Sequence, residues 1–331
     1  MLLDLSENSL SGPVLPTFVN LNNLYYLNLS YNELNGYIPS WFGTYPNFYY
    51  LNLEHNYLEG EIPLESGNLT RLKYLSLNEN KLIGTIPATL GELSILKELH
   101  LNGNQLSGGI PAELGSLSWL RSINLSDNDL VGNIPQELGN LTYLEVLDVK
   151  NSRLTGNIPP ELGDLLALNS LYLNGNGLGG SLPSSLSNLI NLADADFSYN
   201  AFYTDDNTLR AFLNSVDPDW EETQTIAPTG ISYDRLMANS VRISWLPIPY
   251  SQDPGGYRIL CGASPGGPYL PYAMTLDKTI SQMDFILPSP NAIYFLAVQT
   301  RTEPHSNNKN ALESEFSNEI KLGRKKIYKK R

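Results

Sequence analysis

The sequence predicts an α/β solenoid with one parallel sheet on its concave side, followed by a smaller all-β sandwich. The first observation is an asparagine that recurs with a 24-residue period, at Asn8, Asn32, Asn56, Asn80, Asn104, Asn128, Asn176 and Asn200. Ser152 occupies the one remaining place. A fixed period of this length is typical of solenoids, whose units bury their apolar faces only against neighbours. The second observation is that the period ends before residue 226, where short strand-like runs separated by Pro- and Gly-rich turns begin.

The constant positions of the 24-residue repeat, which we call the frame, each have a physical reason. In LSILKELHLNGNQLSGGIP (93–111), leucines two residues apart alternate with polar residues, the pattern of a half-buried strand. The asparagine follows this strand where the chain turns inward, and its amide can supply both the donor and the acceptor that buried turn groups need. A glycine four residues later permits a positive φ, and the proline that follows fixes the coil and lacks an amide hydrogen.

This frame resembles the 24-residue leucine-rich repeats of plant receptor ectodomains and polygalacturonase inhibitors. The consensus LxxLxLxxNxLxGxIPxxLGxL is matched at 96–117 by LKELHLNGNQLSGGIPAELGSL, and the resemblance covers residues 1–204 in about nine units, the first truncated. It implies a binding scaffold that presents a concave sheet to a protein, peptide or glycan. The cysteine-paired caps of the plant proteins are absent, since the chain has one cysteine, Cys261.

The final repeat decays within residues 205–225, which we interpret as a capping helix and linker. NTLRAFLNS (207–215) has apolar residues at helical spacing, and Asn207 is its candidate N-cap. Such a helix would cover the end of the solenoid core, which a terminal repeat otherwise exposes. Nothing comparable precedes residue 1, and the chain begins inside a repeat, so we expect a fragment whose export signal lies outside this sequence.

Residues 226–323 predict an all-β sandwich. Strand-like runs occur at VRISW (241–245), YRILC (257–261), MDFIL (283–287) and YFLAV (294–298). The segment resembles a fibronectin type III domain in its APTG entry (227–230), Trp245, Tyr257, Leu287 before Tyr294, and SEFSNEI (314–320) as the last strand. The junction at 216–230 is similar to that of bacterial surface proteins that join these two modules. This resemblance implies a bacterial protein, secreted or at the cell surface.

Composition narrows the function classes. The net charge is −13, and residues 1–204 carry 7 basic against 20 acidic residues, which argues against nucleic acid as a partner. Only the tail at 324–331 is strongly basic. No stretch reaches the roughly 18 apolar residues that a membrane span requires. With one cysteine, three histidines and no clustered ligands or catalytic constellation, the sequence predicts no enzyme, no metal site and no cofactor.

The candidate binding residues occupy concave-face positions that the frame leaves free. Tyr26, Tyr50 and Tyr74 fill one such place in three successive units. Because neighbouring strands lie about 4.8 Å apart, we expect their rings to stack. The remaining candidates lie beside them and are Tyr25, Tyr49, Lys73, Lys97, Arg121, His55 and His100. Tyrosines suit binding hot spots, although an aromatic row could instead serve only to brace the sheet.

The sequence therefore favours a non-catalytic recognition module for a protein, peptide or glycan. The alternative from another class is an accessory region of a larger secreted glycan-active enzyme, because bacterial fibronectin type III units often accompany such enzymes. A receptor kinase ectodomain is a weaker third interpretation, since neither a membrane span nor kinase motifs occur.

Overall fold

A computed structural model describes residues 1–15, 21, 23–45, 47–237, 239–287, 289 and 292–322. The basic tail at 324–331 lies outside the described residues. Packing divides the chain into two compact units. The first comprises Met1–Ser198 and Thr204–Trp220, and the second comprises Tyr199–Tyr203 and the chain from Glu221 onward.

The first unit is built from short parallel strands. In chain order they are β1 Leu2–Asp4, β2 Ser11–Pro13, β3 Tyr26–Asn28, β4 Glu33–Tyr37, β5 Tyr50–Asn52, β6 Tyr57–Glu61, β7 Tyr74–Ser76, β8 Lys81–Ile83, β9 Glu98–His100, β10 Ser107–Gly108, β11 Ser122–Asn124, β12 Asp129–Gly132, β13 Val146–Asp148, β14 Arg153–Gly156, β15 Ser170–Tyr172, β16 Gly177–Ser181 and β17 Asp194–Asp196. The odd-numbered strands β1 to β17 form one nine-stranded parallel sheet, which we call the long sheet. The even-numbered strands pair in order within β2–β8 and within β10–β16.

The register of the long sheet follows the 24-residue period. Tyr26 pairs with Tyr50, and Tyr50 pairs with Tyr74, so equivalent positions lie side by side on neighbouring strands. The middle residue of each strand from β3 to β17, such as Leu99, points into the core and is buried. The flanking residues of the same strand therefore point to the outer face of the long sheet.

A short 3-10 helix follows the frame proline in successive units. These helices are Ser40–Thr44, Leu64–Asn68, Ala88–Glu92, Ala112–Ser116, Gln136–Asn140, Pro160–Asp164 and Ser184–Asn188. The preceding proline is the N-cap residue of each helix, as at Pro111 with φ −65°. A second glycine of the frame lies inside this helix and allows the next unit to approach closely. At Gly115, for example, a Cβ would lie 2.3 Å from the carbonyl oxygen of Glu137.

The buried asparagine row performs the role that the sequence predicts. The Asn104 amide nitrogen donates to the carbonyl oxygens of Leu77, Leu101 and Asn102 at 3.1, 3.0 and 3.3 Å. Its Oδ1 accepts a hydrogen bond from the Leu82 amide at 3.0 Å. One side chain thus provides hydrogen-bond partners for backbone groups of its own turn and of the preceding unit. The glycine four residues later, Gly108, has φ +73°, as expected from the frame.

The helix α1, Asn207–Val216, ends the first unit and buries Leu209 and Leu213. The prediction that Asn207 caps this helix is wrong. Asp206 is the N-cap, and its Oδ1 accepts from the amides of Thr208 and Leu209 at 2.8 and 3.2 Å. A carboxylate satisfies these amides and also complements the positive end of the helix, whereas Asn207 lies one residue inside it.

The second unit contains the short strand β18 Ala201–Tyr203 and eight strands that pair antiparallel. These are β19 Thr229–Met237, β20 Ser240–Leu246, β21 Gly255–Gly262, β22 Leu270–Met274, β23 Gln282–Ile286, β24 Tyr294–Thr302, β25 Leu312–Glu313 and β26 Ile320–Leu322. One sheet has the order β19-β20-β23, and the other has the order β22-β21-β24-β25, with β26 also paired to β24. Val241, Tyr257 and Phe285 are fully buried in a shared core, where the Trp245 and Tyr257 rings lie 5.3 Å apart.

The segment predicted as one last strand, 314–320, is not continuous. Residues 314–319 fall between β25 and β26 and leave the regular ladder. The reason is that two serine hydroxyls replace backbone acceptors. Ser314 Oγ accepts from the Thr300 amide at 3.0 Å, and Ser317 Oγ accepts from the Val298 amide at 2.9 Å.

Candidate ligand-binding face

Three tyrosines form a stack on the outer face of the long sheet. The Tyr26 and Tyr50 ring centroids lie 4.3 Å apart, those of Tyr50 and Tyr74 lie 4.4 Å apart, and both pairs are inclined by 8°. The strand register sets this spacing, as the sequence predicts. Because both ring faces of Tyr50 are covered, it presents its ring edge and hydroxyl outward. We call the outer surface formed by Tyr25, Tyr26, Tyr49, Tyr50 and Tyr74 the tyrosine face.

His100 closes one end of the stack. Its ring meets Tyr74 edge-on, with centroids 5.7 Å apart and planes at 84°. Burial lowers the pKa of His100, while the nearby carboxylates of Glu98 and Glu54 oppose that shift. Burial, and then the neighbours Tyr50 and Glu54, raise the pKa of the Tyr74 hydroxyl. Both side chains are therefore neutral near pH 7 and offer hydrogen bonds.

A serine and an acid flank His100, but they do not form a catalytic triad. His100 Nε2 lies 3.3 Å from Ser122 Oγ and 3.9 Å from Glu98 Oε2. A triad requires the base to contact the nucleophile through one ring nitrogen and the acid through the other. Here both contacts involve Nε2, so the arrangement cannot transfer a proton in that way.

The row one residue before the stack is aromatic at one end and cationic at the other. Tyr25 and Tyr49 are nearly half exposed, and the Lys73 Nζ lies 4.8 Å from the centre of the Tyr49 ring. This row borders an open depression of about 520 Å³, lined by Tyr25, Asn47, Tyr49, Arg71, Lys73 and Ile95. Further along the row, Lys97 lies on the neighbouring unit and Arg121 makes an ion pair with Glu145.

His55 belongs to a separate stack beyond the end of its strand. It stacks on Tyr31 with centroids 4.3 Å apart and an angle of 21°. Both residues have a positive φ, +53° at Tyr31 and +49° at His55. Gly103 and Gly175 occupy the same repeat position elsewhere with φ +64° and +68°. The frame thus imposes a left-handed backbone here, which disfavours a bulky side chain by about 1–2 kcal/mol.

The C-terminal half of the long sheet repeats the geometry with different chemistry. An open depression of about 540 Å³ in the row of Glu145 and Asn169 is lined by Glu145, Val146, Ala167, Asn169 and Asn191. The positions that hold the tyrosine stack are Glu98, Ser122, Val146, Ser170 and Asp194 in the later units. Asp194 accepts a hydrogen bond from the hydroxyl of Tyr172. This half is acidic and amide-rich, so it differs from the tyrosine face in the chemistry and charge of its side chains.

One exposed aromatic pair was missed by the sequence reasoning. Trp119 and Tyr143 stack with centroids 5.4 Å apart and an angle of 5°, and they are 51% and 49% exposed. Each stands immediately before the first leucine of its repeat. The signal that could have identified them is an aromatic at the same frame position in two adjacent units.

The described residues include no group of three or more His, Cys, Asp or Glu side chains placed to hold a metal ion. Within the same ranges, every helix falls short of the length and apolarity needed to cross a bilayer. Cys261 is half-buried in β21, and burial raises the pKa of its thiol.

Two family models of the leucine-rich repeat match the chain. One matches residues 1–58, and the other matches residues 71–93, 96–117, 119–141, 143–165 and 167–189. No curated protein sequence matches this chain.

Several solved structures are similar to the chain. The ectodomain of the plant membrane receptor kinase GASSHO1/SCHENGEN3 from Arabidopsis thaliana, in complex with CASPARIAN STRIP INTEGRITY FACTOR 2, is 44% identical over 60% of this chain and 24% of that chain, with a TM-score of 0.60. The plant peptide hormone receptor RGFR1 in complex with RGF2 is 38% identical over 59% and 31%, with a TM-score of 0.59. The Arabidopsis receptor kinase HAESA, in complex with the peptide hormone IDA and the co-receptor SERK1, is 34% identical over 59% and 33%, with a TM-score of 0.56. The matched part of this chain thus spans a quarter to a third of each of these chains.

Proposed function

Because the chain is a leucine-rich-repeat protein over the segments that the family models match, we propose that it is a non-catalytic recognition module whose tyrosine face binds a peptide. The observation that carries this proposal is the stack of Tyr26, Tyr50 and Tyr74 on the outer face of the long sheet. Rigid aromatic side chains combine a large contact area with a hydroxyl and lose little entropy on binding.

The choice of a peptide has two supports. Two of the similar structures have peptide hormones named with their receptors. In addition, the stacked tyrosines cover one another's ring faces and present edges and hydroxyls, which suits hydrogen bonds to a peptide backbone better than stacking against a sugar ring. Lys73, Lys97 and Arg121 would border the bound peptide on one side.

A selection experiment tests the proposal without a known ligand. A random peptide library displayed on phage is selected against the immobilised full chain, and the Kd of the recovered peptides is measured by calorimetry. We expect Tyr50→Ala to weaken binding by about thirtyfold, which corresponds to about 2 kcal/mol for a hot-spot aromatic. The free energy of unfolding should fall by less, about 1 kcal/mol, because the stacked ring lies on the outer face and loses only its contacts with neighbouring rings.

The matched control is Asn169→Ala, which truncates an exposed side chain in the C-terminal half of the same sheet. We expect it to change the Kd by less than about twofold. The proposal fails if the library yields no binders, or if Tyr50→Ala leaves the Kd unchanged. Peptides that instead require Glu145, Asn169 and Asp194 would move the site to the other half.

We also propose that the second unit is a fibronectin type III-like sandwich. Its strand order supports this, with three strands in one sheet and β22-β21-β24-β25 in the other. Tyr294, at the start of β24, accepts a hydrogen bond from the amide of Ser289 at 2.7 Å, as a tyrosine corner does. An experimental structure in which β22 paired with β23 would contradict the assignment.

The location that we propose is extracellular or at the cell surface. Its support is the likeness to receptor ectodomains. The similar structures are plant proteins, so the bacterial origin suggested by the junction at 216–230 gains no support from them. An accessory region of a glycan-active enzyme remains the alternative function, and the reading frame on either side of this sequence would decide it. An antibody that detected the protein only in the cytosol of its host would contradict the proposed location.

A further inference from the structure

Glu54 carries a half-buried carboxylate on the outer face of the long sheet. It lies two residues after β5, and its Oε2 accepts a hydrogen bond from Ser76 Oγ at 3.1 Å. Its charge acts on both neighbours across the face, since it favours the neutral form of Tyr74 and the charged form of His100. The carboxylate therefore faces the end of the tyrosine stack.

Two aromatic stacks flank this position. Tyr50 and Tyr74 lie on one side of it along the strands. On the other side, His55 follows Glu54 directly and stacks on Tyr31, whose amide donates to the Glu54 carbonyl oxygen at 3.0 Å. In the described part of the chain, neither the Tyr31 hydroxyl nor the His55 ring has a hydrogen-bond partner. Both are therefore free to contact a ligand.

The charge of Glu54 is uncompensated. Among the described residues, no Lys, Arg or His nitrogen lies within 4.0 Å of its carboxylate. Two acids on the long sheet do have a cation nearby, since Glu145 pairs with Arg121, and Asp148 lies 3.6 Å from Lys150. A partly buried carboxylate without a paired cation is available to accept a charge-assisted hydrogen bond from a cationic group of a ligand.

We propose that Glu54 receives an arginine or lysine side chain of the peptide ligand, held between the Tyr50–Tyr74 stack and the Tyr31–His55 stack. The inference rests on the proposed function and adds the chemistry of one ligand residue. A guanidinium or ammonium group would form a charge-assisted hydrogen bond with the carboxylate, and the flanking rings would contact the apolar stem of that side chain.

The test uses the same phage library on wild type and on Glu54→Gln, which keeps the shape and removes the charge. We expect wild type to select peptides with one preferred arginine or lysine position, and the variant to lose that preference. Glu92→Gln is the control, because it makes the same charge change at an exposed residue that ends a 3-10 helix. It should select the same basic peptides as wild type does, which separates a local contact from attraction to the net charge of −13.

A double-mutant cycle then measures the contact. A selected peptide and its arginine-to-citrulline version are titrated against both proteins in about 0.15 M salt, so that distant charges are screened. We expect Glu54→Gln to weaken the arginine peptide about tenfold and the citrulline peptide less than about twofold. Glu54→Asp changes the side chain but keeps its charge, so it controls for a general structural defect at this position. It should retain the preference for a basic residue.

The outcomes separate the two proposals. Peptides that need Tyr50 but show no basic preference, or keep it with Glu54→Gln, overturn the role of Glu54 and leave the peptide site standing. Peptides that are indifferent to Tyr50→Ala, or an absence of binders, overturn the peptide site and this inference with it.

Discussion

The middle of the repeat array and its C-terminal end satisfy the same backbone groups by different means. In the middle, the Leu101 amide donates to the carbonyl oxygen of Asn124 in the next unit at 2.9 Å. The equivalent amide in the last unit, that of Phe197, donates instead to the Asp217 carboxylate at 2.8 Å. A side chain from beyond α1 has thus replaced the backbone of a further repeat.

The asparagine row shows the same substitution. The Leu154 amide donates to Asn176 Oδ1 at 3.1 Å, which is the ordinary contact of the row. The Phe202 amide donates to Gln224 Oε1 at 2.9 Å, and Gln224 lies 24 residues after Asn200. The hydrogen bonds therefore continue for one more period after the sequence pattern has ended. Unpaired backbone amides, rather than the repeat consensus, therefore dictate which oxygen lies at each of these places.

The largest effect that we expect comes from breaking the row in its middle. Asn104→Ala removes three donated hydrogen bonds and one accepted bond from buried backbone groups. We expect the free energy of unfolding to fall by about 1–3 kcal/mol. Denaturant melts measure this, with the exposed Asn169→Ala as the control. If the two variants melt alike, the buried row does not stabilise the solenoid.

At the C-terminal end we expect Asp217 to make the free energy of unfolding depend on pH. Burial, with the nearby charges of Asp196 and Asp219, raises the pKa of Asp217 from 3.8 to about 6, although the Phe197 amide opposes the shift. Between these two values the folded state holds a proton that the unfolded state has lost, so stability falls as the pH rises from about 4 to about 6.

Asp217→Asn keeps an oxygen for the Phe197 amide and removes the charge. We expect it to be more stable than wild type by about 1 kcal/mol at pH 7, with the difference vanishing below about pH 4. Thermal melts across this range measure the effect. A constant difference at every pH would show that the carboxyl does not titrate with folding.

The smallest effect concerns the gap in the row. Ser152 is buried and its Oγ lies 3.5 Å from the Asn128 carbonyl oxygen, a weaker contact than those of the asparagines. We expect Ser152→Asn to leave stability unchanged or to raise it by up to about 1 kcal/mol. Ser126→Asn, at a buried serine outside the row, should be destabilising. A clear loss of stability in Ser152→Asn would mean that the turn of this unit differs in geometry from the turns of the other units.

The 24-residue period is enough to predict the solenoid, because the constant residues of each repeat satisfy backbone groups that recur with the same period. The buried Asn104 contacts, the positive φ of Gly108 and the stacking of Tyr26, Tyr50 and Tyr74 all follow from that period. The strand runs of the second unit were also predictable, since their apolar residues alternate.

Features that depend on neighbours outside the period could not be predicted from it, because they follow from how the chain packs in space. Asp206 rather than Asn207 caps α1, and Ser314 and Ser317 interrupt the last strand, because the spatial position of each oxygen decides which amide it meets. Glu54 looks like any other acid in the sequence. It stands out only when the sheet places it between two aromatic stacks without a cation in the described part of the chain, since electrostatic pairing is a property of distance in space.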